Sequence, residues 1–146
     1  MLIQQNARLL LAIILASNGI AALIVPGMWY VLVPGVTATG PLNPHFVRDI
    51  GAAYLVAGAA FGWLWRNATA WPAALAGGAF LALHALVHVG EMLGGTIDPQ
   101  HLLRDLPGVF LLPVFALWVA WPGRRLHSTK EEYHAEMDRT APARRL

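Results

Sequence analysis

The sequence predicts an all-α fold, a bundle of four transmembrane helices, and three observations lead to this prediction. Of its 146 residues 57% are hydrophobic and 12% are charged, whereas soluble domains carry about 25% charged residues. Long apolar runs alternate with clusters of Pro and Gly. The charges are segregated, because a polar tail carries most of them and residues 9–121 hold only Arg48, Asp49, Arg66, Glu91, Asp98, Arg104 and Asp105.

The first predicted helix follows Arg8 and covers the apolar residues 9–25, near the lower length limit for a membrane span. No small-residue cleavage site follows cleanly, so we expect a membrane span and not a cleaved signal peptide. Pro26 and Gly27 end this helix. Residues 28–44 contain Trp29, three prolines and two glycines, which is typical of a connecting loop in the membrane interface.

Asn43 and Pro44 predict the start of the second helix as N-cap and first-turn proline. This helix runs to about residue 65, and Gly58 and Gly62 form a G-x-x-x-G pair that favours close helix packing. The third helix covers about residues 70–93 and has its own stripe of small residues, Ala74, Gly78 and Ala82.

The fourth helix is predicted from residue 98 to residue 121, with bends at Pro107 and Pro113. Asp98 and Pro99 open it with the same cap and proline that open the second helix. We therefore expect a membrane domain over residues 1–123 and a cytoplasmic polar tail over residues 124–146.

Residues 43–51 and 98–107 share one pattern: a cap residue, Pro, His, two apolar residues, Arg, Asp and an apolar residue, with Gln100 added between Pro and His in the second segment. This similarity predicts two pseudo-repeated helical hairpins. Neighbours in sequence point in different directions on a helix, so we expect crossed ion pairs, Arg48 with Asp105 and Arg104 with Asp49. In that case Arg48 and Arg104 have a structural or substrate-orienting role.

Positive residues predict the orientation. Arg8, Arg66 and the basic tail fall on one side of four crossing helices, which places both termini in the cytoplasm of a multi-pass protein of a bacterial inner membrane. An aromatic belt is expected on the same side, formed by Trp63, Trp65, Trp71, Trp118 and Trp121.

The third helix carries an unusual polar face, because His84, His88 and Glu91 are spaced by four and three residues in an apolar run. Ionisable groups at membrane depth are costly and commonly functional. The assigned topology brings this face and the two repeated motifs to the extracytoplasmic side. The expected pocket consists of His84, His88, Glu91, His45, Asp49, His101 and Asp105.

Three chemistries are open for this pocket. Imidazole and carboxylate donors in a chain without cysteine suit a transition metal ion such as Zn, Cu, Fe or Mn. Haem is less favoured, since His84 and His88 share one face and cannot be the two axial ligands of one iron. The third possibility is a proton relay or a pocket for a polar substrate.

An arginine near the start of the second helix, followed by the Gly- and Ala-rich residues 48–54, resembles the small four-helix DoxX-like bacterial membrane proteins. The resemblance implies the four-helix fold and no particular activity.

We therefore expect a membrane protein that binds a transition metal, either as an enzyme acting on a lipophilic small molecule or as a metal-holding protein; whether it is an enzyme is open. The alternative is a non-catalytic accessory subunit in which the charges form a structural network. The bilayer is the expected partner, with a homo-oligomer or larger complex formed through the Gly and Ala faces, and no nucleic acid.

Overall fold

The computed structural model describes residues 2–95, 101–122 and 136–137, and this part of the chain is helical and contains no strand. The all-α prediction is confirmed. Two 3-10 turns (Val36–Ala38 and Ala68–Ala70) and a π-helix (Leu106–Leu111) accompany the helices α1 (Leu2–Ile24), α2 (Pro26–Leu32), α3 (Pro44–Arg66), α4 (Trp71–Leu93), α5 (His101–Asp105) and α6 (Leu112–Ala120).

Three helical segments are long and apolar enough to cross a membrane: Leu2–Ile24, Ala68–Leu93 and Leu103–Ala120. They identify the chain as a membrane protein. Helix α3 has 23 residues, the same length as α1, but it is not among the three. Its Gly and Ala content and its charged pair, Arg48 and Asp49, lower its hydropathy. The chain therefore has three candidate membrane spans by length and hydropathy, and α3 would be a fourth.

Helix α3 begins where the sequence predicts. The side chain of Asn43 accepts hydrogen bonds from the backbone N–H groups of His45 (3.1 Å) and Phe46 (3.2 Å), and Pro44 follows in the first turn. Two of the backbone donors that every helix start leaves unpaired are thereby satisfied. The matching cap at Asp98 and Pro99 lies outside the described residues, as does the tail apart from residues 136–137.

The predicted loop after α1 is partly helical, which corrects the sequence interpretation. Pro26 begins α2 instead of only ending α1, because proline fits the first turn of a helix, where no backbone donor is needed. Side chains fasten this segment: Trp29 Nε1 donates to Asn18 Oδ1 (2.9 Å), and the hydroxyl of Tyr30 donates to the Gly40 carbonyl (2.6 Å). These two hydrogen bonds fix the connection to α1 and hold its two parts together.

The last membrane segment is irregular at one of the predicted prolines. Pro107 lies in the π-helix between α5 and α6, where a widened turn accommodates a residue that lacks an N–H group. Pro113 is buried in the first turn of α6. The π-helix begins directly after Asp105, so the irregular turn sets the position of that carboxylate.

The closest helix packing joins α1 and α3. A Cβ atom at Gly19 would lie 2.6 Å from the Gly51 carbonyl oxygen, and one at Gly58 would lie 2.7 Å from the backbone nitrogen of Ala16. At Gly62 a Cβ would meet only the Ala12 methyl group, at an ordinary 3.8 Å. Of the predicted G-x-x-x-G pair, Gly58 is therefore essential to the approach and Gly62 is not.

Side-chain donors bind carbonyl groups at the ends of neighbouring helices. Gln5 Nε2 donates to the Trp65 carbonyl at the end of α3, and Arg8 Nε donates to the Val119 carbonyl at the end of α6 (3.3 Å). Carbonyl groups in a last helical turn lack backbone donors, so these bonds satisfy them. Helix α1 is thus antiparallel to α3 and to α6.

This arrangement gives the bundle two distinct ends. The start of α1, the end of α3, the start of α4 and the end of α6 meet at one end, which we call the tryptophan end because it holds the five predicted belt residues. The opposite end, which we call the histidine end, holds α2, the start of α3 and the end of α4. The largest fully buried side chains lie toward the tryptophan end: Leu11, Leu15, Phe61, Leu64 and Val119.

Candidate functional site

The apolar core stops at an aromatic pair, and a chain of polar groups begins there. Tyr54 on α3 and Phe80 on α4 meet edge to face, with ring centroids 5.4 Å apart, and both pack against the core. The Tyr54 ring also contacts the ring of His84 edge to face, at 6.4 Å. Tyr54 therefore links the core to the histidine end.

His84 and His88 follow each other along one face of α4, as their spacing predicts. Their ring centroids are 4.9 Å apart and the rings are inclined by 74°. Helix α4 rises about 1.5 Å per residue, so His84 lies about 20 Å from Trp71 and roughly 14 Å from Leu93. The pair occupies the half of α4 nearer the histidine end.

Asp105 reaches this face from the last residue of α5. Its Oδ2 atom lies 3.2 Å from Nδ1 of His88, and the two side chains are only 11% and 17% exposed. An ionised carboxylate can only accept a hydrogen bond, so Nδ1 of His88 is the donor. In a neutral imidazole the other ring nitrogen, Nε2, then carries a free lone pair.

Arg104 completes the environment of Asp105. Its Nε atom donates to Oδ1 of Asp105 at 3.2 Å, so both carboxylate oxygens have partners. The guanidinium lies against Gly35 in the connection before α3: a Cβ there would be 2.6 Å from Nη2, and φ is +89°. Only glycine combines this backbone conformation with the space that the arginine needs.

The crossed ion pairs expected from the repeat do not form. Arg104 bonds the carboxylate of its own neighbour, and Arg48 Nε donates to the Leu23 carbonyl at the end of α1 (3.2 Å). Arginine is long enough to fold back onto an adjacent carboxylate where the helix ends in an irregular turn. Arg48 is better placed to satisfy a free carbonyl of α1 than to reach α5.

The expected pocket is divided in two. Nε2 of His45 and Oδ2 of Asp49 lie 3.6 Å apart on the exposed surface of α3, where the two side chains are 88% and 61% accessible. No contact in the described part of the chain joins this pair to His84 or His88. His45 and Asp49 therefore form a separate surface pair.

Two further residues were predicted at this site, Glu91 and His101. Glu91 is half-buried one turn beyond His88 and makes no hydrogen bond or ion pair with any described residue. The backbone of His101 belongs to α5, and its side chain lies outside the description. Among described residues, no three His, Asp or Glu side chains converge to hold a metal ion.

Tyr54 is the residue that the sequence interpretation missed. Its ring lies between Phe80 and His84, and its hydroxyl makes no hydrogen bond within the described residues. The only signal in the sequence was a tyrosine inside an otherwise Gly- and Ala-rich stretch of α3. Nothing in that stretch indicates which helix it faces.

The spacing of the two histidine rings fits a shared metal ion. A metal–nitrogen distance of about 2.0–2.1 Å, with roughly 1.1 Å from nitrogen to ring centre, separates two tetrahedrally arranged imidazole centroids by about 5 Å. The observed separation is 4.9 Å. The separation of the ring centres therefore matches that of two imidazoles bound to one ion.

Comparison with known proteins adds no assignment. No protein-family model, no curated protein and no solved structure matches the chain. The DoxX-like resemblance stays a prediction.

Proposed function

We propose that this is a metal-binding membrane protein in which His84 and His88 hold one divalent transition metal ion through nitrogen. The observation that carries the proposal is the hydrogen bond between His88 and Asp105, beside a second imidazole at a chelating distance. Histidine ligands commonly donate their other ring N–H to a carboxylate, which fixes the ring and makes the ligating nitrogen more basic.

This proposal changes the roles given to the charged residues. Asp105 orients His88 and is not itself a ligand, because its two oxygens are bonded to His88 and Arg104. Arg104 is a structural residue that fixes the carboxylate from the other side. His45 and Asp49 are outside the site.

Two histidines leave coordination positions to be filled. Glu91 is the nearest unpaired carboxylate along the helix face, and His101 is the next histidine of the chain, at the start of α5. A nitrogen and oxygen ligand set of this kind suits Zn, Cu, Fe or Mn. Such an ion would supply Lewis-acid or redox chemistry; haem fits less well, since both rings lie on one side of any shared iron.

In the membrane, we place the histidine end on the extracytoplasmic side. Helix α3 runs antiparallel to α1 over the same length, which supports a fourth crossing, and Arg8 and Arg66 lie at the tryptophan end. Basic residues favour the cytoplasmic side, so both termini are cytoplasmic in this bacterial inner-membrane topology. The site then faces outward.

The polar chain ends in the middle of the bundle. Beyond Tyr54 and Phe80 the described core consists of buried apolar residues such as Leu15 and Phe61, which offer no path for a proton. This arrangement favours a site open to one side over a relay across the membrane. It suits a metal-holding protein or an enzyme acting on a lipophilic small molecule.

One observation favours a second function, that of an accessory membrane subunit without a metal. Because His88 and Arg104 already satisfy both oxygens of Asp105, the network can serve stability alone. In that case His84 and His88 contribute packing and hydrogen bonding only.

Metal analysis separates the two functions. The full chain, purified without a polyhistidine tag, is dialysed against trace Zn²⁺ or Cu²⁺ and its metal content measured by mass spectrometry. We expect one ion per chain in the wild type and loss of that ion in His84→Ala and His88→Ala.

His45→Ala is the matched control, since it removes an exposed histidine at the same end. It should retain the ion. Absence of metal from the wild type, together with reduced thermal stability of His88→Ala, would support the accessory subunit. Equal loss in all three variants would show binding unrelated to this site.

A further inference from the structure

The two histidines of the proposed metal site are held in place in different ways. Nδ1 of His88 donates to the carboxylate of Asp105, so a hydrogen bond orients the His88 ring. The ring of His84 makes no hydrogen bond with any residue that the structure describes. It contacts two other rings, that of His88 at 4.9 Å and that of Tyr54 at 6.4 Å between centroids. Ring packing is therefore the observed constraint on His84.

The contact between Tyr54 and His84 has a geometry that aromatic rings prefer. The two ring planes are inclined by 78°, an edge-to-face arrangement, and the centroid distance lies within the range of roughly 4.5–7 Å that is usual for such pairs. A rotation of the imidazole about its side-chain bonds would change this inclination and lose the contact. The tyrosine ring thus favours one orientation of the imidazole.

Tyr54 can exert this effect because its own ring is fixed. It meets Phe80 edge to face, with centroids 5.4 Å apart and planes inclined by 87°, and both rings pack against the buried core. Phe80 lies one helical turn before His84 on α4, whereas Tyr54 belongs to α3. A neighbouring helix therefore connects the His84 ring to the core of the bundle.

A site made of two histidines benefits when both rings are oriented before the ion arrives. Each imidazole binds a metal through the lone pair of one ring nitrogen, so a freely rotating ring loses conformational entropy on binding. Packing and hydrogen bonds that fix a ligand in advance remove this cost. Asp105 fulfils this requirement for His88, and Tyr54 is the residue placed to fulfil it for His84.

We propose that Tyr54 is the positioning residue of His84, and that its ring fixes the imidazole beside His88 in the orientation used for metal binding. The role belongs to the ring, because the hydroxyl group makes no hydrogen bond within the described part of the chain. The inference rests on the proposed function for the identity of the ligand, whereas the orientation of the imidazole can be measured without a metal.

The first measurement uses the full chain without metal, in detergent micelles and with labelled His and Tyr. Nuclear Overhauser effects between ring protons report which rings lie close together. We expect such effects from Tyr54 to His84 and from His84 to His88 in the wild type. The effect between the two histidines should persist in Tyr54→Phe and weaken in Tyr54→Leu and Tyr54→Met, since only phenylalanine keeps the ring; Tyr54→Met fills the space with a flexible chain.

The second measurement is the affinity for Zn²⁺, obtained by competition with a chelator. Tyr54→Phe should bind as the wild type does, and Tyr54→Leu and Tyr54→Met should bind about two- to tenfold more weakly, the contribution expected of one aromatic pair. Phe115→Leu is the matched control, because Phe115 also packs half-buried against the core and its ring contacts Trp118. It should lose thermal stability as Tyr54→Leu does, yet keep its affinity.

The possible results separate this proposal from the metal site itself. Wild-type affinity in Tyr54→Leu and Tyr54→Met, or an unchanged effect between the histidine rings in both, would overturn the positioning role. Weaker binding by Tyr54→Phe would assign the role to the hydroxyl group and would also overturn it. A wild type that binds no Zn²⁺, but whose histidine rings separate when Tyr54 is replaced by Leu or Met, would refute the metal site and support the positioning of His84.

Discussion

Substitution of the two glycines of the G-x-x-x-G pair should have opposite effects on stability. In Gly58→Ala the new Cβ would lie 2.7 Å from the backbone nitrogen of Ala16 and 3.1 Å from the Ala12 carbonyl oxygen. Ordinary contacts to Cβ are longer, and neither neighbour is a flexible side chain. Helices α1 and α3 must therefore move apart along their closest contact.

The change in unfolding free energy has two contributions, the strain of overpacking and the higher helix propensity of alanine. Overpacking of this kind costs about 1–3 kcal/mol, and replacing glycine by alanine in a helix returns roughly 0.8–1.0 kcal/mol. Gly62→Ala gains helix propensity without overpacking, since its Cβ would meet only the Ala12 methyl group at 3.8 Å. The difference between the two variants isolates the packing term.

The assay is equilibrium unfolding of the purified protein in mixed micelles with increasing denaturing detergent, followed by tryptophan fluorescence. We expect Gly58→Ala to be less stable than Gly62→Ala by about 1–3 kcal/mol. Equal stability of the two variants would refute the close backbone contact, and with it the antiparallel pairing on which the two ends of the bundle depend.

Three further predictions concern the site, the connection before α3 and the first turn of α3. Asp105→Asn keeps the shape of the side chain but loses its charge, so metal affinity measured by competition with a chelator should fall about 10–100-fold, and unchanged affinity would exclude an orienting role. Gly35→Ala should destabilise the protein thermally, because φ is +89° and the methyl group would meet Arg104, whereas Gly90→Ala, with open space around it, should not. Asn43→Ala removes the cap of α3 and should cost about 1 kcal/mol of unfolding free energy; no measurable loss would contradict the two hydrogen bonds.

The sequence predicted the helices well because their signals are local. Asn43 with Pro44, and the apolar runs with their Pro and Gly boundaries, depend on neighbours within a few residues. The helix after Pro26 was missed, because in sequence a proline that starts one helix resembles one that ends another.

The site was harder to predict, because its partners come from different helices. Residue spacing correctly placed His84 beside His88, but the repeat suggested pairs that are not formed. Rotation of α3 about its axis decides that Asp49 lies on the surface and Tyr54 faces α4, and neither the composition nor the spacing of that helix specifies this rotation.

The most direct test of the central claim is the coordination of the bound metal. X-ray absorption of the protein loaded with Cu²⁺ or Zn²⁺ reports how many imidazole nitrogens surround the ion. The account predicts at least two histidine ligands in the wild type, one fewer in His84→Ala or His88→Ala at saturating metal, and the wild-type number in His45→Ala. An ion with no imidazole ligands, or a histidine count unchanged by substitution of His84 and His88, would contradict it.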